Sequence, residues 1–94
     1  MRDKEKIKNK LAQIFDLPQE VLLNLPSISL IGNLNLVIEN HRGIIKYTPQ
    51  LIKVRVYHGK IVILGEELMI ESLEEDIVVV EGRITDLSFK LGLG

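Results

Sequence analysis

"IVVVEGRITDLSF", residues 77–89, decides whether this chain forms a flat sheet or a folded one. Val78, Val80 and Ile84 share one parity, while Leu87, Phe89 and Leu91 share the other. Successive side chains of a strand point to opposite faces, so one parity means one face. Keeping all six apolar residues on the same face requires one extra residue, and Thr85-Asp86 is where a bulge would supply it. Without that bulge, Leu87 and Phe89 turn to the other side.

The same period of two runs backward from this stretch. Leu34, Leu36 and Ile38 alternate with Asn35, Val37 and Glu39, and Ile52, Val54 and Val56 alternate with Leu51, Lys53, Arg55 and Tyr57. Alternation of this kind marks strands with one covered face. Turn residues fall between the runs at Gly32-Asn33, Asn40 to Gly43, Thr48-Pro49, His58-Gly59 and Glu74 to Asp76. The spacing predicts strands near 28–31, 34–39, 44–47, 51–57, 60–64, 68–72 and 77–90. Short links favour antiparallel pairing of successive strands. The expected β domain, 27–90, is therefore a meander of about seven strands in a small sandwich or roll. "ISLIGNLNL" at 28–36 and "IVILGEELMI" at 61–70 echo each other, and strand-turn-strand grammar accounts for both.

Residues 2–24 read differently. Ile7, Leu11, Ile14 and Phe15 fall on one face of a 3.6-residue repeat with lysines around them, which predicts an amphipathic helix. Asp16-Leu17-Pro18 ends it. At 94 residues the chain is a single domain, mainly β with an N-terminal helix. "IVIL" at 61–64 and "IVVV" at 77–80 are apolar on both faces, and such runs need cover on both sides. The helix can cover part of that surface, and a second chain is the natural cover for the rest. A homo-oligomer is expected.

Hydrophobic residues make up 46% of the chain and charged residues 27%, a globular balance. No apolar run reaches the length of a spanning helix, and Met1 is followed by charge. Cysteine is absent, which removes disulfides, Cys-based zinc sites and Cys nucleophiles. The net charge of −1 conceals a segregation. Arg42, Lys46, Lys53, Arg55 and Lys60 occupy a stretch with no acid. Glu66, Glu67, Glu71, Glu74, Glu75, Asp76, Glu81 and Asp86 then follow, with Arg83 as the one base among them.

None of this assembles into chemistry. His41 and His58 lie beside glycines in predicted turns, with side chains expected in solvent and Gly43 and Gly59 expected to supply positive φ. Neither histidine has the further ligands a metal site needs. The acids lack the ligand order of a calcium loop, and they are expected on solvated turns and edge strands. No phosphate loop, dinucleotide fingerprint or nucleophile elbow occurs, so no catalytic residue, cofactor, metal or small-molecule substrate is expected. Lys53, Arg55 and Tyr57 share one strand face, with Arg42 and Lys46 nearby. Base plus aromatic on a sheet can hold single-stranded nucleic acid, which makes a nucleic-acid-binding module the alternative function. The low aromatic content and the overall acidity argue against it.

"IGNLNLVIENHRGI" at 31–44, "GKIVILGEELMI" at 59–70 and "VEGRITDLSF" at 80–89, with "LP" ahead of the first strand, resemble the YabP/YqfC family of small sporulation proteins. The likeness extends over nearly the whole chain, including "FDLPQEVLLNLP" at 15–26. "IENHRGI" is its most distinctive piece, and "KLGLG" at 90–94 departs from the pattern. The resemblance implies a non-enzymatic protein of endospore formers, working as an assembly or scaffold protein by protein–protein contact. It implies a mother-cell cytoplasmic location, peripheral to the forespore membrane through a partner resembling the membrane protein YqfD. It supplies no catalytic or ligand residues. His41 and Arg42 are expected to cap a hairpin and, with Lys46, Lys53, Arg55 and Tyr57, to form an interaction surface.

Overall fold

The computed structural model describes residues 24–92; the predicted N-terminal helix lies outside the described residues. The described part is one antiparallel sheet of six strands: β1 (Ser27–Ile31), β2 (Asn35–Glu39), β3 (Ile44–Tyr47), β4 (Leu51–Val56), β5 (Gly59–Leu73) and β6 (Ile77–Leu91). The spatial order is β1-β2-β6-β5-β4-β3. This corrects the meander in two ways. The runs at 60–64 and 68–72 belong to the single strand β5, because Gly65 and Glu66 stay paired with β6 and Glu67-Leu68 form a bulge rather than a turn. And β2 does not pair with β3; its second neighbour is β6, so Asn40 to Gly43 cross from one side of the sheet to the other.

The bulge expected in the last strand is present. Leu64 pairs with Asp86 and Gly65 with Ile84, leaving Thr85 as the extra residue. Val78, Val80 and Ile84 are buried, and Leu87 packs against the same core. Phe89 lies directly across from Ile61 but is 53% exposed. Further irregularities fall at Glu66/Met69 and Ile70/Ser72. Bulges bend strands, and these bend the long β5–β6 hairpin so that the sheet folds on itself.

The fold-over makes two layers. β2, with β1 beyond it, pairs with the half of the hairpin nearer its tip, and β4, with β3 beyond it, pairs with the half nearer its ends. Leu36, Ile38, Val78, Val80 and Leu68 from the first layer form one cluster with Ile52, Val54, Val56, Ile61 and Ile63 from the second. Burying each such side chain stabilises by about 1.5–3 kcal/mol relative to exposure. Tyr47 on the edge strand β3 ties the layers together, its hydroxyl accepting from Ile70 N–H at 3.0 Å.

A bulge leaves amides without ladder partners, and buried amides need them. Both tight turns supply acceptors here. Gly65 N–H and Leu68 N–H donate to Gln50 O (3.1 Å) and Pro49 O (2.8 Å) in the β3–β4 turn. Gly82 N–H and Ile84 N–H donate to Leu34 O (3.1 Å) and Asn33 O (2.8 Å) in the β1–β2 turn. At the bend Gly82 adopts φ 133°, and a Cβ there would lie 2.7 Å from Glu67 O. Gly82→Ala should therefore destabilise the protein by roughly 2 kcal/mol or more, read as a lower denaturant midpoint with an unchanged slope.

Candidate interaction surface

The crossover from β2 to β3 is built by Asn40, His41, Arg42 and Gly43. Asn40 takes the left-handed conformation (φ 64°), which Asn tolerates better than most residues. Its N–H donates to Asp76 O at 2.6 Å, and its side-chain amide donates to Leu25 O at 3.0 Å. His41 is buried, only 7% exposed, and not in solvent as its turn-like neighbours predict. Gly43 N–H donates to His41 Nδ1 at 3.0 Å, which makes Nδ1 an acceptor. The proton then sits on Nε2, which lies 3.1 Å from Glu74 O. His41 is thus a strut between the crossover and the tip of the β5–β6 hairpin. It does not cap a hairpin of its own, because β2 and β3 are not neighbours.

Arg42 points the other way. Its guanidinium donates to Asn24 Oδ1 at 3.2 Å and lies 5.9 Å from the ring centroid of Tyr57. Tyr57 in turn stacks at a tilt on His58, with centroids 4.0 Å apart. His58, rather than Gly59, carries the positive φ of that turn, at 61°.

The basic residues collect on the outer face of the second layer. Directly paired residues share a face, so Arg55, Lys60 and Lys90 form one row across β4, β5 and β6. The adjacent row on the same face is Lys46, Lys53, Val62 and Ser88. A cleft lined by Ile45, Arg55, Gly59, Lys60, Lys90 and Leu91 opens beside them. Of the expected residues, the structure brings Lys46, Lys53 and Arg55 together on the face, with Arg42 and Tyr57 adjoining; His41 is not among them. Lys90 goes unnoticed in a linear reading, because its place beside Lys60 follows only after the bulge at Thr85 fixes the register.

Among the described residues most acids lie on the other layer and at the hairpin tip. Glu66 and Glu67 lie at the bend, and Asp86, paired with Leu64, is the one acid on the outer face that carries the basic rows. Glu39 and Glu81 are on the other layer's outer face, Glu71 is the unpaired residue of a bulge, and Glu74, Glu75 and Asp76 form or flank the tip. This half of β5 has β6 on one side only, so its acids sit at a local strand edge within a strand that is otherwise central. Among the described residues the one ion pair is Arg83–Glu66, at the bend and well exposed. Glu81 and Glu71 share a hydrogen bond, and with the Glu71 charge and some desolvation it raises the Glu81 carboxyl above its ordinary value of 4.5. No group of His, Cys, Asp or Glu among the described residues is placed to hold a metal ion, and no helix there is long and apolar enough to cross a membrane.

The signature of the YabP family matches residues 24–92, a span that takes in all six strands. The chain belongs to the YabP family. It is also similar to the uncharacterized protein YqfC of Bacillus subtilis (strain 168), with 28% identity over 81 residues, covering 86% of this chain and 87% of that protein. No solved structure matches it. The family match thus takes in both the basic face and the acidic hairpin tip of this YabP family member.

Two outcomes follow from the geometry. His41→Ala removes both imidazole hydrogen bonds and should cost about 1–3 kcal/mol, measured by chemical denaturation. Glu81 has its pKa raised in the folded state, so its contribution to stability is present below the ordinary value of 4.5 and lost as pH rises through the folded one. Glu81→Gln should therefore raise the melting temperature at pH 7 and leave it unchanged well below that value.

Proposed function

We propose that this YabP family member is a non-enzymatic sporulation protein that acts as a small assembly or scaffold protein through protein–protein contact. Membership of the family and similarity to YqfC support the link to sporulation. The observation that carries the mode of action is the basic outer face. Lys46, Lys53, Arg55, Lys60 and Lys90 lie in two rows with no carboxylate paired to them among the described residues. Like charges held side by side cost free energy in the isolated molecule, and an acidic partner surface relieves that cost. The working location in this proposal is the mother-cell cytoplasm, reaching the forespore membrane through a membrane protein resembling YqfD.

The test replaces the chromosomal gene of the endospore-forming host with one encoding Lys53→Glu and Arg55→Glu. Both side chains lie on the outer face, so the variant should keep the wild-type circular dichroism spectrum and melting temperature. The yield of heat-resistant spores should fall. A folded, normally abundant variant that supports full spore yield would overturn the proposal.

A further inference from the structure

We propose that the partner of the basic face is a second copy of this chain, docking through the acidic outer face of its other layer, so that molecules join head to tail. This rests on the scaffold reading above and gives it an occupant. In a sheet folded over one core, the inner faces meet and the outer faces point in opposite directions. The basic rows of the second layer therefore cannot reach the acids of the first layer within one molecule. Among the described residues no ion pair joins the basic rows to the acids of the first layer or the hairpin tip.

The two faces match in more than sign. Val62 sits half-buried among Lys53, Arg55 and Lys60, with Leu51, Leu64 and the single acid Asp86 in the row beyond. On the acidic side Val37 and Val79 lie paired and half-buried, with Glu39 and Ile77 in one flanking row and Glu81 and Met69 in the other. An apolar centre with a charged rim is the usual anatomy of a specific protein interface. The strands that read as apolar on both sides, 61–64 and 77–80, provide those centres. The acidic side also brings two carboxyls together. Glu71 and Glu81 are held against each other with no cation bonded to either among the described residues, and the lysines or arginines of a neighbour would relieve them.

Because the joined surfaces differ, the contact is heterologous, and repetition gives a ring or a filament rather than a closed two-fold dimer. Two basic faces would repel each other, as would two acidic ones.

The experiment is sedimentation velocity with light scattering on the full chain, at about 50 mM and about 500 mM salt, since screening shortens the Debye length severalfold over that range. Species larger than a monomer are expected at low salt and smaller ones at high salt. Lys53→Glu with Arg55→Glu, and separately Glu71→Lys with Glu81→Lys, should each weaken association at least about tenfold. Mixed in equal amounts, the two variants should associate again, since each retains the face the other has lost. Where a charge reversal unfolds the protein, Lys53→Gln with Arg55→Gln takes its place, with the same expected direction. A folded wild-type chain that stays monomeric at low salt overturns the inference, as does association that neither reversal weakens. So does binding of Lys53 and Arg55 to vesicles of anionic phospholipid by a chain that does not self-associate. A monomeric chain whose Lys53→Glu, Arg55→Glu variant still loses spore yield overturns self-docking and leaves the scaffold reading standing with another occupant.

Discussion

The bend in the β5–β6 hairpin is held by amides that the ladder cannot use. Gly65, Leu68, Gly82 and Ile84 donate out of the hairpin into the two tight turns, one turn on each side. These bonds do two things at once. They satisfy the backbone where the bulges break the pairing, and they fix each short hairpin against the corner of the long one. The core then follows from the corner. Thr85 shifts the parity of β6, so Leu87 stays on the face of Val78, Val80 and Ile84 while the strand passes from one layer to the other. Remove the shift and Leu87 would turn away from the core.

A single folded sheet has a consequence for its surface. Two layers share one interior, so all the fully buried side chains belong to one cluster. Each layer keeps one outer face, and each outer face is written by the alternate residues of its own strands. In β4 these are Leu51, Lys53 and Arg55; in β2 they are Asn35, Val37 and Glu39. The segregation of charge along the chain becomes a segregation of charge in space because β3 and β4 stay in one layer and the hairpin tip in the other. Asn40 to Gly43 link the two, and His41 locks that link to the tip through Glu74 O. A residue that looks poised for chemistry in the sequence serves the architecture.

Most strands were legible because period-two alternation runs through β2, β4 and the unbulged parts of β5 and β6, and the bulge at Thr85 was legible because only an extra residue reconciles the two parities. Strand order was not. A short link signals that strands are close in sequence, and Asn40 to Gly43 look like the other turns, yet they span layers because β2 is claimed by β6. "ISLIGNLNL" and "IVILGEELMI" share an apolar run, a glycine and an alternating tail, but one is a true hairpin and the other a bulged single strand. The difference lies in what sits opposite: Gly65 packs against the backbone of Arg83, whereas nothing approaches Gly32. Such a contact between distant parts of the chain has no local signature. Burial of His41 escaped for the same reason, since its contact with Glu74 O joins distant parts of the chain. Of the surface, Lys46, Lys53, Arg55 and Tyr57 were readable by parity within or beside one strand, and Lys90 only through long-range register.

The half-buried outer residues resolve the puzzle set by the two-faced apolar runs. Ile61, Ile63, Val78 and Val80 are fully enclosed, but Val62, Ile77 and Val79 retain part of their surface, and Leu64 is 40% exposed. A scattered exposed aliphatic residue is ordinary and needs no explanation. Here, however, the valines sit in rows flanked by bases on one layer, with Asp86 as the exception, and by glutamates on the other. Apolar area supplies attraction without direction, and it would join any two such faces indifferently. The flanking lysines and arginines on one layer and glutamates on the other remove that indifference, because the wrong pairing brings like charges together. A domain too small to cover all its apolar strand surface can in this way leave some of it outside and still restrict what meets it.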